Sequence, residues 1–384
     1  MVALEVLILN IQATEASKMI NALRNGVAPI GLTDHLIFGR EKELNEFKRC
    51  FSALKEGESI VKIITGEYGV GKSHLVNAVK NLALKDDYLI ASFQVNDGFR
   101  LNKIDDLYYA IMHNLYMKGT QFEKTSFSEI FDLWIENLQT APFPDRKRVE
   151  INLVCQELSK YNTNFARAFL MFMRGRIQRN QEMQNITTAW LTGEKNIPYE
   201  LKHKYDLVGY VDKTNTLDFL KAFSKLINLL GYKGLIIFID ELDQVISERS
   251  DLRTLAYNNL KHLIDLTTSG EMTHSMFVFS GTPNLLTDSE KGFMSLESLA
   301  QRLNLPLDHT LEDPRQTLIH LEKLPESALL LLTHKILELY KIQEEPIKEL
   351  PTPHQVIEQT DAFNLKTTRH FVTKSIQYLD TFLK

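Results

Sequence analysis

Apolar positions along the chain follow two rhythms. Short apolar runs at Ile60 to Thr65, Tyr88 to Val95, Leu235 to Ile239 and Ser275 to Ser280 predict buried strands. Leu303 to Leu307 predicts a further strand, which Pro306 confines to a sheet edge. Elsewhere the period is helical. Ala16, Met19, Ile20 and Leu23 make Ala13 to Arg24 a helix that Gly26 terminates. The chain breaks at Pro29 and Gly31, turns at Gly39 and continues as a helix to about Leu54, with Gly57 closing it. The second and third strands lie about 140 residues apart, too far for a simple crossover, so a helical insertion is expected between them. Its predicted helices are Ile104 to Tyr116, Phe127 to Leu138, Val149 to Tyr161, Asn164 to Arg179 and Leu217 to Leu230, with a break at Ala141 to Pro144. Leu191 to Val211 is mixed. Beyond it, Leu252 to Thr267, Ser295 to Arg302, Pro325 to Tyr340, His354 to Thr360 and Thr367 to Leu383 read as helices.

Between the first strand and the amphipathic helix Leu75 to Leu84 lies Gly66-Glu67-Tyr68-Gly69-Val70-Gly71-Lys72-Ser73-His74. The pattern Gly-x-x-x-x-Gly-Lys-Ser, set between strand and helix, is that of a P-loop. Its glycines let successive backbone N–H groups turn inward onto phosphate oxygens, and the helix N-terminus adds positive potential. Lys72 is expected to reach the β- and γ-phosphates and the Ser73 hydroxyl to ligate Mg²⁺, so the chain is expected to bind ATP.

Composition narrows the setting. Over 384 residues the net charge is −5, which does not advertise nucleic-acid binding but leaves room for a local basic face. Cys50 and Cys155 stand far apart without ligand spacing, which suits a reducing interior. The histidines show no metal-type pairing, so no zinc site is expected. Met1 to Leu9 is apolar without a basic flank or a cleavage site, which suggests a short strand or docking segment and not a signal peptide. No apolar run approaches bilayer length, so a cytoplasmic protein without a membrane contact is expected.

The strand Leu235 to Ile239 delivers Asp240 and Glu241 to its C-terminal end, where parallel sheets bind ligands. Asp240 would hold Mg²⁺ through its water shell, and Glu241 would act as general base on the attacking water. Thr282 could position that water, with Asn284 and Ser280 as competitors and a plain Gly-Thr-Pro turn as the alternative. Arg302 could reach a neighbouring subunit's γ-phosphate, or be a surface arginine. Arg369, at the start of the last helix, could contact the nucleotide from a lid. Between Arg146 and Arg179 eight lysines and arginines face only Glu150 and Glu157. This basic stretch could track double-stranded DNA through its phosphates, or form a solvated or partner-facing helix. Phe165, Phe169 and Phe172 within it follow i, i+4, i+7 spacing, which favours core over base stacking.

Together these segments resemble the AAA+ ATPases of the origin-recognition/Cdc6-like branch. Phe38-Gly39-Arg40-Glu41-Lys42-Glu43-Leu44 is similar to that branch's motif beside the adenine, and Ile239-Asp240-Glu241-Leu242-Asp243 to its Walker B. Thr282, Arg302 and Arg369 then fall where sensor 1, the arginine finger and sensor 2 are expected. A narrower resemblance is to the ATP-binding proteins of BREX phage-defence systems, in particular the BrxD-like type. It rests on Asn21-Ala22-Leu23-Arg24-Asn25-Gly26-Val27-Ala28-Pro29, the P-loop, Ala256-Tyr257-Asn258-Asn259-Leu260, Phe279-Ser280-Gly281-Thr282-Pro283 and Leu299-Ala300-Gln301-Arg302-Leu303. Thr367-Thr368-Arg369 lacks the proline often found before the sensor 2 arginine.

The resemblance implies an α/β AAA+ core with a five-stranded parallel sheet, a helical insertion and a C-terminal helical lid. The expected division is an N-terminal strand and helix segment (1–34), an ATPase core (35–310) carrying the insertion at about 104–216, and the lid (311–384). The expected activity is Mg²⁺-dependent ATP hydrolysis by a homo-oligomer that acts on DNA with other defence proteins. The alternatives are a nucleotide-gated switch that recruits a partner, and a replication-initiation or helicase-loading ATPase.

Overall fold

The computed structural model describes residues 11–28, 31–95, 98–120, 123–140, 144–306, 313–343 and 349–383. The apolar N-terminal segment Met1 to Leu9 lies outside these residues, as do the side chains of Arg146 and Lys147. Among the described residues six strands form one mixed sheet: β1 (Ser59–Gly66), β2 (Leu89–Gln94), β3 (Leu115–Tyr116), β4 (Leu235–Asp240), β5 (Ser275–Gly281) and β6 (Leu318–Leu321), in the order β3-β2-β4-β5-β1-β6. β2, β4 and β5 run parallel, with Ala91 opposite Ile237 and Ile237 opposite Phe277. Near-continuous burial of β4 and β5 explains why they read as apolar runs rather than as alternating patterns.

The expectation of a five-stranded, wholly parallel sheet is corrected at two places. Tyr116 does not end a helix; Leu115 and Tyr116 pair antiparallel with Ala91 and Ile90. The strand expected at Leu303 to Leu307 does not form in Leu303–Pro306, and Leu307 lies outside the described residues. There Asn304 takes the left-handed conformation (φ 54°) and Pro306 offers no N–H, so the apolar run cannot extend. The further strand is β6, whose entry to the sheet is marked by the Ile63 N–H donating to the Thr317 carbonyl at 2.8 Å.

In chain order the first helices are α1 (Ala13–Arg24), α2 (Glu41–Lys55) and α3 (Lys72–Lys85). The insertion contributes α4 (Ile104–Met112), α5 (Asp132–Thr140), α6 (Pro144–Ser159), α7 (Thr163–Gln178), α8 (Gln181–Leu191), α9 (Tyr199–Lys204) and α10 (Thr216–Leu229). Then follow α11 (Ser250–Thr268), α12 (Asn284–Thr287), α13 (Glu297–Arg302), α14 (Glu326–Gln343), α15 (Pro353–Thr360) and α16 (Thr368–Asp380).

The chain divides into two compact units. One holds the described residues among 1–47, 64–82 and 319–384; the other holds 48–63 and the described residues among 83–318. The first unit has its own core, in which Ala16, Met19, Ile20 and Leu23 of α1 pack with Leu332 and Ile336 of α14, Val356 of α15 and Phe371 and Ile376 of α16. The second is centred on β2, β4 and β5 and extends through the insertion. There Phe165, Phe169 and Phe172 are fully buried, and Phe172 meets the rings of Phe127 and Phe131 at centroid distances of 5.4 and 5.0 Å. The i, i+4, i+7 aromatic row is therefore core.

One buried charge stands out in the second unit. Lys62, on β1, is 1 % exposed and its ammonium donates to the carbonyls of Pro314, Arg315 and Gln316 at 2.8, 3.0 and 2.9 Å. Three donors meet three acceptors, which offsets the cost of burying the charge and pins the segment leading into β6 to β1. Lys62→Met would leave those carbonyls without this donor. The expected loss is about 3 kcal/mol of unfolding free energy, read as a lower urea midpoint, and hydrogen exchange should rise first in residues 314–321.

Candidate functional site

The phosphate loop belongs to the first unit, where β1 ends at Gly66 and α3 begins at Lys72. Its glycines are required for different reasons. A Cβ at Gly66 would lie 2.8 Å from the Leu321 carbonyl oxygen and 2.9 Å from Cγ1 of Val70. Gly69 has φ +78°, and its Cβ would stand 3.0 Å from Thr367 and 3.2 Å from Arg369. Gly71 has φ +111° with no heavy atom within 4 Å of a built Cβ, so its requirement is the backbone conformation alone.

Lys72 donates to the carbonyls of Gly66 at 2.6 Å and Glu67 at 3.1 Å, and its ammonium lies 5.3 Å from the centre of the largely exposed Tyr68 ring. Ser73 is exposed in the first turn of α3. The loop is held from outside by Arg40, which is buried and donates to the Val70 carbonyl at 3.2 Å, to the Glu322 carbonyl, and to Glu43 at 3.4 Å. Burial lowers the Arg40 pKa and the charge of Glu43 opposes that shift. His74 bonds the Leu36 carbonyl at 3.2 Å, and burial pushes its pKa down to about 4. At pH 7 its imidazole is therefore neutral, and it adds no charge to the phosphate cradle.

Arg369 lies on this loop. Thr367 caps α16 by accepting the His370 N–H, and the Arg369 N–H donates to the Gly69 carbonyl at 3.0 Å. A glycine-shaped loop opening α3, with an ammonium at its mouth and an arginine at its edge, is a donor set that fits a nucleoside triphosphate.

The carboxylates belong to the second unit. β4 carries Asp240 to its end, and Oδ1 accepts the Ser280 hydroxyl and the Glu241 N–H, the latter at 2.9 Å. Glu241 is exposed and left-handed, at φ 59° and ψ 38°, a conformation that costs a non-glycine residue about 1 kcal/mol. Of the three polar residues after β5, the structure brings Ser280 to Asp240. Buried Thr282 gives its backbone N–H to Asp243 at 3.1 Å, and Asn284 is exposed at the start of α12. Arg302 ends α13 in an ion pair with Asp265 at 2.6 Å, and Lys261 joins the same carboxylate at 2.9 Å. The hydrogen bond from Lys261, then that from Arg302, holds the Asp265 pKa below the usual carboxylate range.

The basic stretch of the insertion is partly neutralised. Lys160 pairs with Glu157, Arg176 with Asp132, and Arg167 with Asp206 at 3.6 Å, while Arg148, Arg174 and Arg179 are exposed. Among the described residues no helix is long and apolar enough to cross a membrane. Two contributors had no side-chain role in the sequence reading. The Phe38–Leu44 motif pointed to Arg40 without revealing that it grips the loop's backbone, and Thr367 was read as the first residue of a helix, whereas it caps that helix from outside.

The family model described as BREX system ATP-binding protein BrxC/D matches residues 11–383, nearly the whole chain. No curated protein matches it.

The left-handed backbone of Glu241 makes an outcome measurable without any nucleotide. Glu241→Gly should raise the unfolding free energy by up to about 1 kcal/mol, because glycine adopts this conformation without the Cβ conflict. An increase in the thermal midpoint without ligand is expected; a decrease would mean that the carboxylate itself stabilises the fold.

Proposed function

This chain belongs to the BREX system ATP-binding protein BrxC/D family, and from that premise we propose that it is a Mg²⁺-dependent ATPase whose turnover acts on DNA. ATP binding in BREX defence is the role that membership itself provides. The observation that carries the reading is the Gly66–Ser73 loop, whose positive φ at Gly69 and Gly71 is a backbone that glycine adopts without strain. Its amides would wrap the β-phosphate while Lys72 exchanges the carbonyls of Gly66 and Glu67 for phosphate oxygens. Ser73 and Asp240 would hold Mg²⁺, which when bound neutralises charge on the phosphate oxygens. Glu241 would take the proton of the attacking water, and Thr282, or Ser280 or Asn284 in its place, would position that water. Arg369 would contact the γ-phosphate from α16. Arg302 would serve a neighbouring subunit of a homo-oligomer after exchanging Asp265 for that subunit's nucleotide.

The DNA contact would come from the basic stretch of the insertion, with Arg148, Arg174 and Arg179 among its exposed cations. A second reading is favoured by the ion pairs at Lys160, Arg167 and Arg176 and by the engagement of Arg302 with Asp265. It makes the chain a nucleotide-gated switch that recruits a defence partner and turns over slowly.

Glu241→Gln separates binding from turnover. Nucleotide affinity should stay near wild type while the hydrolysis rate falls about 100-fold or more, measured by calorimetry and phosphate release. Unchanged hydrolysis would remove Glu241 from the role of base. The same assay with double-stranded DNA divides the two readings. Stimulation that collapses between about 50 and 200 mM salt supports action on DNA, whereas a slow rate indifferent to DNA supports the switch.

A further inference from the structure

The turn formed by Asn21 to Ala28 has no part in the reaction outlined above. It closes α1 tightly. The Gly26 N–H donates to the Leu23 carbonyl and the Val27 N–H to the Ala22 carbonyl, both at 2.9 Å, and Asn25 Nδ2 reaches the Asn21 carbonyl at 2.9 Å. Gly26 supplies the left-handed residue that this closure needs, at φ +66°.

Two contacts fasten the turn to α16. Arg24 makes a bidentate pair with Asp380, Nε to Oδ2 at 2.9 Å and a terminal nitrogen to Oδ1 at 2.8 Å, and it also donates to the Asn21 side chain. The hydroxyl of buried Tyr340, on α14, donates to the same Asp380 oxygen at 2.6 Å. The hydrogen bond to Asp380 raises the Arg24 pKa, so the guanidinium keeps its charge at neutral pH. Planar bidentate geometry fixes the orientation of both partners.

The second contact is steric. A Cβ on Gly26 would lie 3.2 and 3.3 Å from Cγ and Cδ of Arg369 and 3.6 Å from the Thr373 hydroxyl. On the phosphate-loop side, a Cβ on Gly69 would lie 3.2 Å from Cβ of Arg369, and the Arg369 N–H is bonded to the Gly69 carbonyl. The stem of Arg369 thus runs between two glycines, one from the loop and one from the end of α1.

We propose that Gly26, held in place by the Arg24–Asp380–Tyr340 clamp, is a positioning residue that aims the Arg369 guanidinium at the terminal phosphate of bound ATP. The N-terminal turn thereby takes part in telling ATP from ADP. This rests on the reading of Arg369 as a γ-phosphate contact. Gly26 itself touches no nucleotide; it sets where the arginine stem lies. A misplacement of about 1 Å at a charged contact can cost up to about 100-fold; a Cβ at Gly26 asks the Arg369 stem to give by a few tenths of an ångström, so a smaller loss of about tenfold is expected.

The test uses the full chain and compares the affinities of a non-hydrolysable ATP analogue and ADP by calorimetry. Gly26→Asn is the informative variant, because asparagine tolerates the left-handed backbone while adding the Cβ. It should weaken analogue binding about tenfold and leave ADP affinity and the thermal midpoint near wild type. Arg369→Ala should produce a loss of similar size. The double variant should lose no more than Arg369→Ala alone, since residues acting through one contact are not additive.

Wild-type analogue affinity in Gly26→Asn, equal losses for analogue and ADP, or a further tenfold loss in the Arg369→Ala background would each overturn the proposal. Unchanged analogue affinity in Arg369→Ala would instead remove the γ-phosphate contact, and the role of Gly26 with it. Asp380→Asn, which weakens the clamp without touching Gly26, runs through the same cycle if Gly26→Asn does not fold.

Discussion

Close backbone approach to the phosphate loop is the constraint on which the first unit depends. The Leu321 carbonyl, at the end of β6, would stand 2.8 Å from any Cβ at Gly66, and Thr367, at the start of α16, would stand 3.0 Å from one at Gly69. A third approach comes from Arg40, which grips the Val70 carbonyl at 3.2 Å. The first two leave no room for a side chain at Gly66 and Gly69, and the third engages a carbonyl of the loop. At Gly71 no heavy atom lies within 4 Å of a built Cβ, so that part of the loop is not crowded in this way. Burying the Arg40 charge is costly, and its bonds to two carbonyls and to Glu43 offset that cost only because their geometry is rigid. Rigidity in the loop thus follows from packing that the loop's own residues do not determine.

What could be read from the sequence, and what could not, follows the same division. The loop, β2, β4, β5 and most helices announce themselves through local periodicity, because each buries a face or a run long enough to leave a pattern. β6 and β3 do not. Four residues (Leu318–Leu321) and two residues (Leu115–Tyr116) carry too little alternation to be distinguished from a loop, and both exist because a neighbouring strand offers hydrogen bonds. At Leu303 the opposite happened: an apolar run promised a strand that Asn304 and Pro306 prevent along Leu303–Pro306. Lys62 sits within an isoleucine-rich run that gives no local reason for a charge. Its reason lies about 250 residues away in the carbonyls of Pro314 to Gln316. Roles carried by a side chain's distant partner, as for Arg40, Ser280 and Arg302, have no local signature at all.

The insertion shows why composition is a weak guide to recognition. A run rich in arginine, lysine and phenylalanine suggests a surface that stacks bases and holds phosphates. In the folded chain the rings turn inward, with Phe169 and Phe172 packed on Phe131, while Arg176, Arg167 and Lys160 find carboxylates on or beside their own helices. Such exposed pairs contribute little to stability. They still compete with any phosphate that would recruit the same cations, so a DNA contact here draws on a smaller charge than the residue count implies.

Glu241 ties geometry to chemistry in the second unit. Its left-handed backbone costs about 1 kcal/mol that glycine would not incur, and its own N–H is spent on Asp240, at 2.9 Å. That bond, with the Ser280 hydroxyl, engages one oxygen of Asp240 and so fixes the carboxylate's orientation. The same turn sends the Glu241 side chain outward while Leu242 and Val245 behind it are buried. An extended residue at this position would continue β4 instead of turning into the segment Leu242–Ser247. The strain is therefore inseparable from presenting two carboxylates in succession with different surroundings, one hydrogen-bonded and oriented, the other exposed. Two acids made unlike by their surroundings can take the separate roles of metal ligand and base that the proposed reaction assigns to them.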